Sequence, residues 1–266
     1  MKRTAAQLKY ILIALLSFMS AVAFAQNKFK KGEEIERHVL VRSNCVLQRG
    51  SQALHITSSS VIKKSYKVTD ADEKGISFAV STDMLSDTVN AMEQKLIYNS
   101  NKTADPNSAI QTGLQRLVSG KVAVIINNKG EILSAKQPTA VGDTLLSFTG
   151  IQPDNLAPGK MLPFMVGLPA NSLFKKGYSW TVNTASSQTT YTIYAANVQV
   201  TIITYKTSQT GGSLNSRING SMLISNDTGL ILKCSSQSVS VGYEMVNGVV
   251  YAATRRTAVT EVNIKK

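Results

Sequence analysis

The chain has 266 residues, with 29 lysines and arginines against 16 acidic residues, a net charge of +13. Two cysteines and two histidines, His38 and His55, are too few and wrongly spaced for a zinc site, so no metal or other cofactor is expected. The basic residues are scattered, with no run interleaved by aromatic side chains, which excludes a base-stacking groove for nucleic acid and leaves anionic surfaces as the partners that the charge favours.

The chain starts with the order of charge and apolarity that an export machinery reads. Lys2, Arg3 and Lys9 form a basic n-region, Tyr10 to Phe24 is apolar apart from Ser17 and Ser20, and Ala23-Phe24-Ala25 supplies small residues at a cleavage site. The apolar stretch has the length of a signal h-region and is short for a membrane span. Residues 1–25 are therefore expected to be removed between Ala25 and Gln26. That cut takes three of the basic residues and leaves a charge of +10. With no cysteine at the first mature position, the expected product is an exported periplasmic or secreted protein, not a lipoprotein, with no span left after cleavage. Its expected partners are anionic lipid, lipopolysaccharide or envelope proteins.

From residue 26 to 137 the pattern is apolar–polar alternation in runs bounded by Asn, Asp and Gly, which predicts half-buried antiparallel strands. Cys45 falls in such a run, and Cys234 falls in another near the far end of the chain. In an oxidising compartment the two could form one disulfide closing a very long loop, or each could pack as a buried free thiol. Ser60-Val61-Ile62-Lys63, like Ser172-Leu173-Phe174-Lys175, has the Ser-x-x-Lys spacing of some serine hydrolases. In a β-branched run that spacing sends the two side chains to opposite faces, and the companion motifs are missing, so no catalytic role is assigned. Asp70-Ala71-Asp72-Glu73-Lys74-Gly75 imitates a calcium loop but places Lys74 at a ligand position and Ser81 where the closing glutamate belongs, so it reads as a solvated turn. Glu33, Glu34 and Glu36 beside Arg37 read as a wet surface. Asp105-Pro106 followed by Ile110, Leu114, Leu117 and Val118 predicts a short helix near residues 106–119, ended by Gly120.

Residues 138–174 form an apolar connection punctuated by Pro153, Pro158, Pro163 and Pro169, too apolar for a free linker and too proline-rich for one helix. It is expected to fold as short helical turns over the sheet, either as ordinary core cover or as a lid over an apolar cavity. In the second case Met161, Phe164, Met165 and Phe174 are the candidate surface for an apolar ligand.

Residues 175–266 return to strand patterning. Val198, Val200 and Ile202 alternate with their neighbours, as do Val239, Val241, Tyr243 and Met245; Trp180 is expected in the core. Asn226-Asp227-Thr228-Gly229 suits a turn with a glycine bulge, and Asn247-Gly248 a two-residue hairpin turn. The stretch from Val124 to Leu133 aligns without a gap on Leu223 to Leu232, and Lys31-Gly32 matches Lys176-Gly177 upstream. The expected fold is mainly β, between all-β and α+β. It comprises two similar antiparallel, half-barrel-like sheet units, residues 26–137 and 175–266, with short helices in the connections, arranged as two domains or one.

Tyr98-Asn99-Ser100, the Gly120 to Leu133 hairpin, Pro169 to Leu173, Lys175 to Trp180 and Thr228-Gly229-Leu230 together resemble the pattern of a family of exported proteins of unknown function common in Bacteroidetes. The resemblance spans most of the chain after residue 25 and implies a cell-envelope address, with no site residues to carry over. Two functions fit these readings. One is a non-enzymatic binding or carrier protein for an apolar or amphipathic ligand; the other is an envelope module whose sheet edges or loops bind a protein or glycan.

Overall fold

The computed structural model describes residues 29–72, 75–118, 120–136, 148–152, 154–166, 175–246 and 248–266. Ala25, Gln26 and Phe174 lie outside them. The described chain is mainly β: β1 (Glu34–Arg49), β2 (Gln52–Ala71), β3 (Ile76–Ala91), β4 (Gln94–Asn99), helix α1 (Ala109–Val118), β5 (Val122–Ile126) and β6 (Ile132–Lys136) are followed by β7 (Ser179–Asn183), β8 (Ser187–Ala196), β9 (Val200–Gln209), β10 (Leu214–Ser225), β11 (Ile231–Val246) and β12 (Val249–Lys265). All twelve strands belong to one antiparallel sheet in the order β6-β5-β3-β2-β1-β12-β11-β10-β9-β8-β7, with β4 paired to β3.

The two units expected from the repeat are thus halves of one continuous sheet. The order β6-β5-β3-β2-β1 recurs as β11-β10-β9-β8-β7, and β12 joins the copies by pairing with β1 on one side and β11 on the other. The likeness reaches single hydrogen bonds. Gly32 and Gly177 both have φ near 90°, and their N–H groups donate to the carbonyls of Val68 and Ile193. Just beyond those residues each second strand has a bulge, between Val68 and Asp70 in β2 and between Ile193 and Ala195 in β8. Ile76 pairs with Ile126, and Thr201 with Ile224. Structurally, therefore, Ile126 corresponds to Ile224, one residue away from the gapless alignment, because the β10–β11 turn is one residue longer than the β5–β6 turn.

The connection after residue 147 straps one end of the sheet. Glu131 forms a bridge with Met161, and Met165 with Leu230, so five residues join the β5–β6 turn to the β10–β11 turn. A turn closes within the strap, where the Met165 N–H donates to the Leu162 carbonyl. Its span from Met161 to Met165 is then on the order of 10 Å, whereas six strand spacings separate β6 from β11 along the sheet, roughly 29 Å. Only a strongly curled sheet satisfies both lengths, which makes it an open half-barrel with the strap on its concave side.

On that side the core forms. Phe164 is fully buried, edge-on to Phe29, Tyr66 and Phe78, and packs with Leu162 and Met165 into the largest cluster. The strap is therefore core cover. α1 closes a second cluster through Leu114 against Val39, Val41, Ile62, Leu85 and Tyr98. The helix begins three residues later than predicted: Ser108 caps it, its Oγ accepting from the Gln111 N–H, while Asp105 accepts from the Asn107 N–H in the preceding turn.

The second half departs from the expected inward apolar set. In β9 the buried residues are Thr201 and Ile203, and Val198 is 95% exposed in the turn before the strand. In β11, Val239, Val241, Tyr243 and Met245 point outward, while Cys234, Ser236, Ser238 and Gly242 take the concave side. The inner side is crowded by an aromatic row across three strands, Trp180 stacked on Tyr191 and Tyr191 tilted against Tyr205. Tyr205 lies over Gly220, where a Cβ would come within 2.4 Å of its ring, and its hydroxyl reaches Cys234 Sγ at 3.6 Å. Small residues fit beneath such a row, so the larger apolar side chains of β11 take the other face. Trp180 accordingly packs, half-buried, against the smaller cluster of Ile203, Met222, Ile224 and Ile231.

Candidate functional site

Between the strap and the curled centre of the sheet lies a half-open cleft of about 470 Å³. Its floor is apolar: Val39 and Val41 from β1, Ile62 from β2, Ile218 from β10 and Val259 from β12. Ser236, Ser238 and Thr257 line the side toward the second half, and Gln152, Asn155, Lys160, Met161 and Pro163 form the strap wall.

One end of the cleft is charged. Arg37 donates from Nη1 to Asp154 Oδ1 at 2.6 Å, and from Nη2 and Nε to Glu261 Oε2 at 2.8 and 3.1 Å. Asp154 Oδ2 also accepts from Lys64 Nζ at 2.8 Å and from the Tyr66 hydroxyl at 2.5 Å. The pleat sets this arrangement: Arg37, Tyr66, Lys64 and Glu261 all occupy inward positions of β1, β2 and β12, and Asp154 descends from the strap between them. Burial works against the charge on both Arg37 and Asp154, but their partners prevail, Asp154 and Glu261 raising Arg37 and Lys64 and Arg37 holding Asp154 well below the usual carboxylate range. Burial and the Asp154 charge raise Tyr66. Arg37 and Asp154 are thus held in their charged forms and Tyr66 in its neutral one, so the network anchors the strap. Lys160, exposed at the cleft wall, has no side-chain partner among the described residues.

The sequence-predicted sites are distributed as follows. Of the described candidate ligand-surface residues, Phe164 and Met165 are core and Met161 lines the cleft; Phe174 lies outside the described residues. Cys45 and Cys234 are free thiols. They face Arg255 and Glu261 of β12, six residues apart and so roughly 20 Å, far beyond the ~7 Å a disulfide tolerates. Ser60 is buried and donates to Asp87 Oδ1 at 2.7 Å, with Lys63 on the opposite face beside Glu36. Ser58 donates to the same oxygen at 2.9 Å. Burial pushes the Asp87 carboxyl up despite these donors. Among the described residues no histidine or lysine is hydrogen-bonded to Ser60, which is fully buried with Asp87. Asp72 and Gly75 are hydrogen-bonded to each other, the Gly75 N–H donating to Asp72 Oδ1. Glu36, on the convex side among Lys266, His38 and Lys63, is lowered to about 2 by hydrogen bonds from those three. Among the described residues no three His, Cys, Asp or Glu side chains gather to hold a metal.

Arg37, Lys64, Asp154 and Glu261 were not singled out as a group by the sequence. The available signal was Asp154 itself, one of two acidic residues in the apolar stretch 138–174.

Among the described residues no helix is long and apolar enough to cross a membrane, which says nothing of strands. No family model and no curated protein matches the chain. Among solved structures it is similar to an outer membrane channel from Pseudomonas putida F1, at 7% identity over 89% of this chain and 97% of that one with a TM-score of 0.26. It is also similar to OccK5 of Pseudomonas aeruginosa, at 5% identity over 91% of this chain and 100% of that one with a TM-score of 0.26. The translocator domain of the autotransporter NalP from Neisseria meningitidis gives 9% identity, 98% and 97% coverage and a TM-score of 0.23. Likenesses at this level carry no argument about function.

Proposed function

We propose that this is an exported, non-enzymatic binding or carrier protein of the cell envelope, whose concave cleft holds an amphipathic ligand with an anionic head. The supporting observation is the cleft: about 470 Å³, within the ~300–1,000 Å³ range of small-molecule sites, with an apolar floor of Val39, Val41, Ile62 and Val259 and the Lys160 ammonium on its wall. Arg37 and Lys64 are already neutralised by Asp154 and Glu261, so Lys160 is the cation that meets the head group. Mass spectrometry of protein purified from its native envelope tests this. Under native conditions it should carry a stoichiometric adduct that leaves on denaturation. Val259→Trp, which fills the floor, should abolish the adduct, and Lys160→Glu should deplete it. A clean apo mass, or an adduct indifferent to Val259→Trp, overturns the reading.

A further inference from the structure

The convex side of β9–β12 carries a feature that the cleft does not use. Its outward residues include no acidic side chain and four exposed basic ones, Lys206, Arg217, Lys233 and Arg256. None of these four makes an ion pair among the described residues. At the β11–β12 end of this face an apolar strip is open to solvent: Tyr243 is 64% exposed, Met245 62% and Val250 57%, with Val239 and Val241 continuing it. The register fixes the layout. Met245 lies opposite Val250, Tyr243 opposite Ala252 and Val241 opposite Thr254; one row further, Val239 lies between Arg256 on β12 and Arg217 on β10. From Val239 to Met245 the strip runs six residues, about 20 Å, and a shallow groove between Val46, Tyr243 and Ala252 lies along it.

We propose that this face is a docking surface for an anionic lipid bilayer. Tyr243, Met245 and Val250 enter the interface between head groups and acyl chains, and Arg217 and Arg256 meet lipid phosphates at the end of the strip. The charge supports this occupant, since a face with four cations and no anion repels a second copy of itself. The neighbouring strand argues against crossing the bilayer: Asn215, Arg217 and Asn219 of β10 interrupt the apolar band that a spanning barrel needs. Apolar burial and attraction to anionic lipid add in such surface binding. The site lies on the opposite side of the sheet from the cleft and stands independently of the carrier reading.

Co-sedimentation of the purified protein with vesicles of phosphatidylcholine, with and without phosphatidylglycerol, tests it. Binding is expected only with phosphatidylglycerol and should weaken with added salt. Arg217→Gln and Arg256→Gln should each cost about fivefold in affinity, and the Tyr243→Ser/Met245→Ser double variant more than tenfold. All these side chains are solvent-exposed, so an unchanged circular dichroism spectrum verifies the fold. Val259→Trp in the cleft should leave vesicle binding intact. Equal binding to phosphatidylcholine alone, wild-type binding by the arginine variants, or a dimer that Tyr243→Ser dissociates while vesicles go unbound would each overturn the proposal.

Discussion

Replacing Asp154 by alanine tests the strap anchor directly. The carboxylate accepts from Arg37 at 2.6 Å, Lys64 at 2.8 Å and Tyr66 at 2.5 Å in a largely dry site. After its removal Arg37 keeps Glu261, but Lys64 and the Tyr66 hydroxyl lose their partner. Breaking a buried pair from one side costs about 3–5 kcal/mol, because the stranded charge costs more than the lost attraction. Against a usual total of about 5–15 kcal/mol, that is a large fraction. Urea unfolding at pH 7, followed by circular dichroism and by the fluorescence of the single tryptophan, Trp180, should show the midpoint fall with little change in slope. Adding Lys64→Met to the alanine variant should restore part of the loss, because the stranded cation disappears. The sign with pH follows from the lowered carboxyl. Its contribution is complete above the unfolded value of about 4 and is lost as pH falls through the folded value, so the alanine variant should lose less stability than the wild type below pH ~4. An alanine variant within 1 kcal/mol of wild type, or a double variant weaker than the single one, would refute a buried anchor.

Asp87 has the opposite sign. Burial raises its carboxyl, so its ionisation is a cost that appears as pH rises through the folded value and is absent below pH ~4. Asp87→Asn keeps an oxygen for Ser58 and Ser60 and should be more stable than wild type at pH 7, with the advantage vanishing at pH 4 in the same urea titrations; greater destabilisation at pH 7 than at pH 4 would contradict this. The cysteine geometry predicts two titratable thiols per chain in denaturant without reductant and no mobility change on reduction; a count of zero thiols would place Cys45 and Cys234 in a bond.

Local patterns made much of the fold readable. The turn chemistry at Asn226 to Gly229, the match between Lys31-Gly32 and Lys176-Gly177, and the spacing of Ile110, Leu114 and Leu117 each depend on neighbours a few residues away, and each appears as a turn, a paired glycine corner or the buried face of α1. Pairing at a distance has no such signature. Nothing near Glu34 or Lys265 announces that β1 and β12 lie side by side, so two similar units were legible and their fusion into one sheet was not. Alternation also leaves open which face is inward: Val239, Val241 and Tyr243 give the same period whether they line the core or solvent, and only the crowding around Tyr205 and Gly220 decides it. The cleft depends on both missing facts, since Arg37, Asp154 and Glu261 come from three stretches that meet only after the sheet curls.

The position of β12 has a consequence for the order in which the molecule is made. Partners such as Val41 and Val259, or Cys45 and Arg255, are more than two hundred residues apart, so the seam between the two halves has some of the longest-range contacts in the chain. The first half can gather its own strands as it emerges, and so can the second, but the strand that holds them together emerges after both. Until residues 249–265 are released, β1 offers an unpaired edge to the surroundings, and a chain cut short before Val249 would expose that edge permanently and invite pairing with another chain. The union of the two halves thus depends on residues 249–265 reaching both β1 and β11.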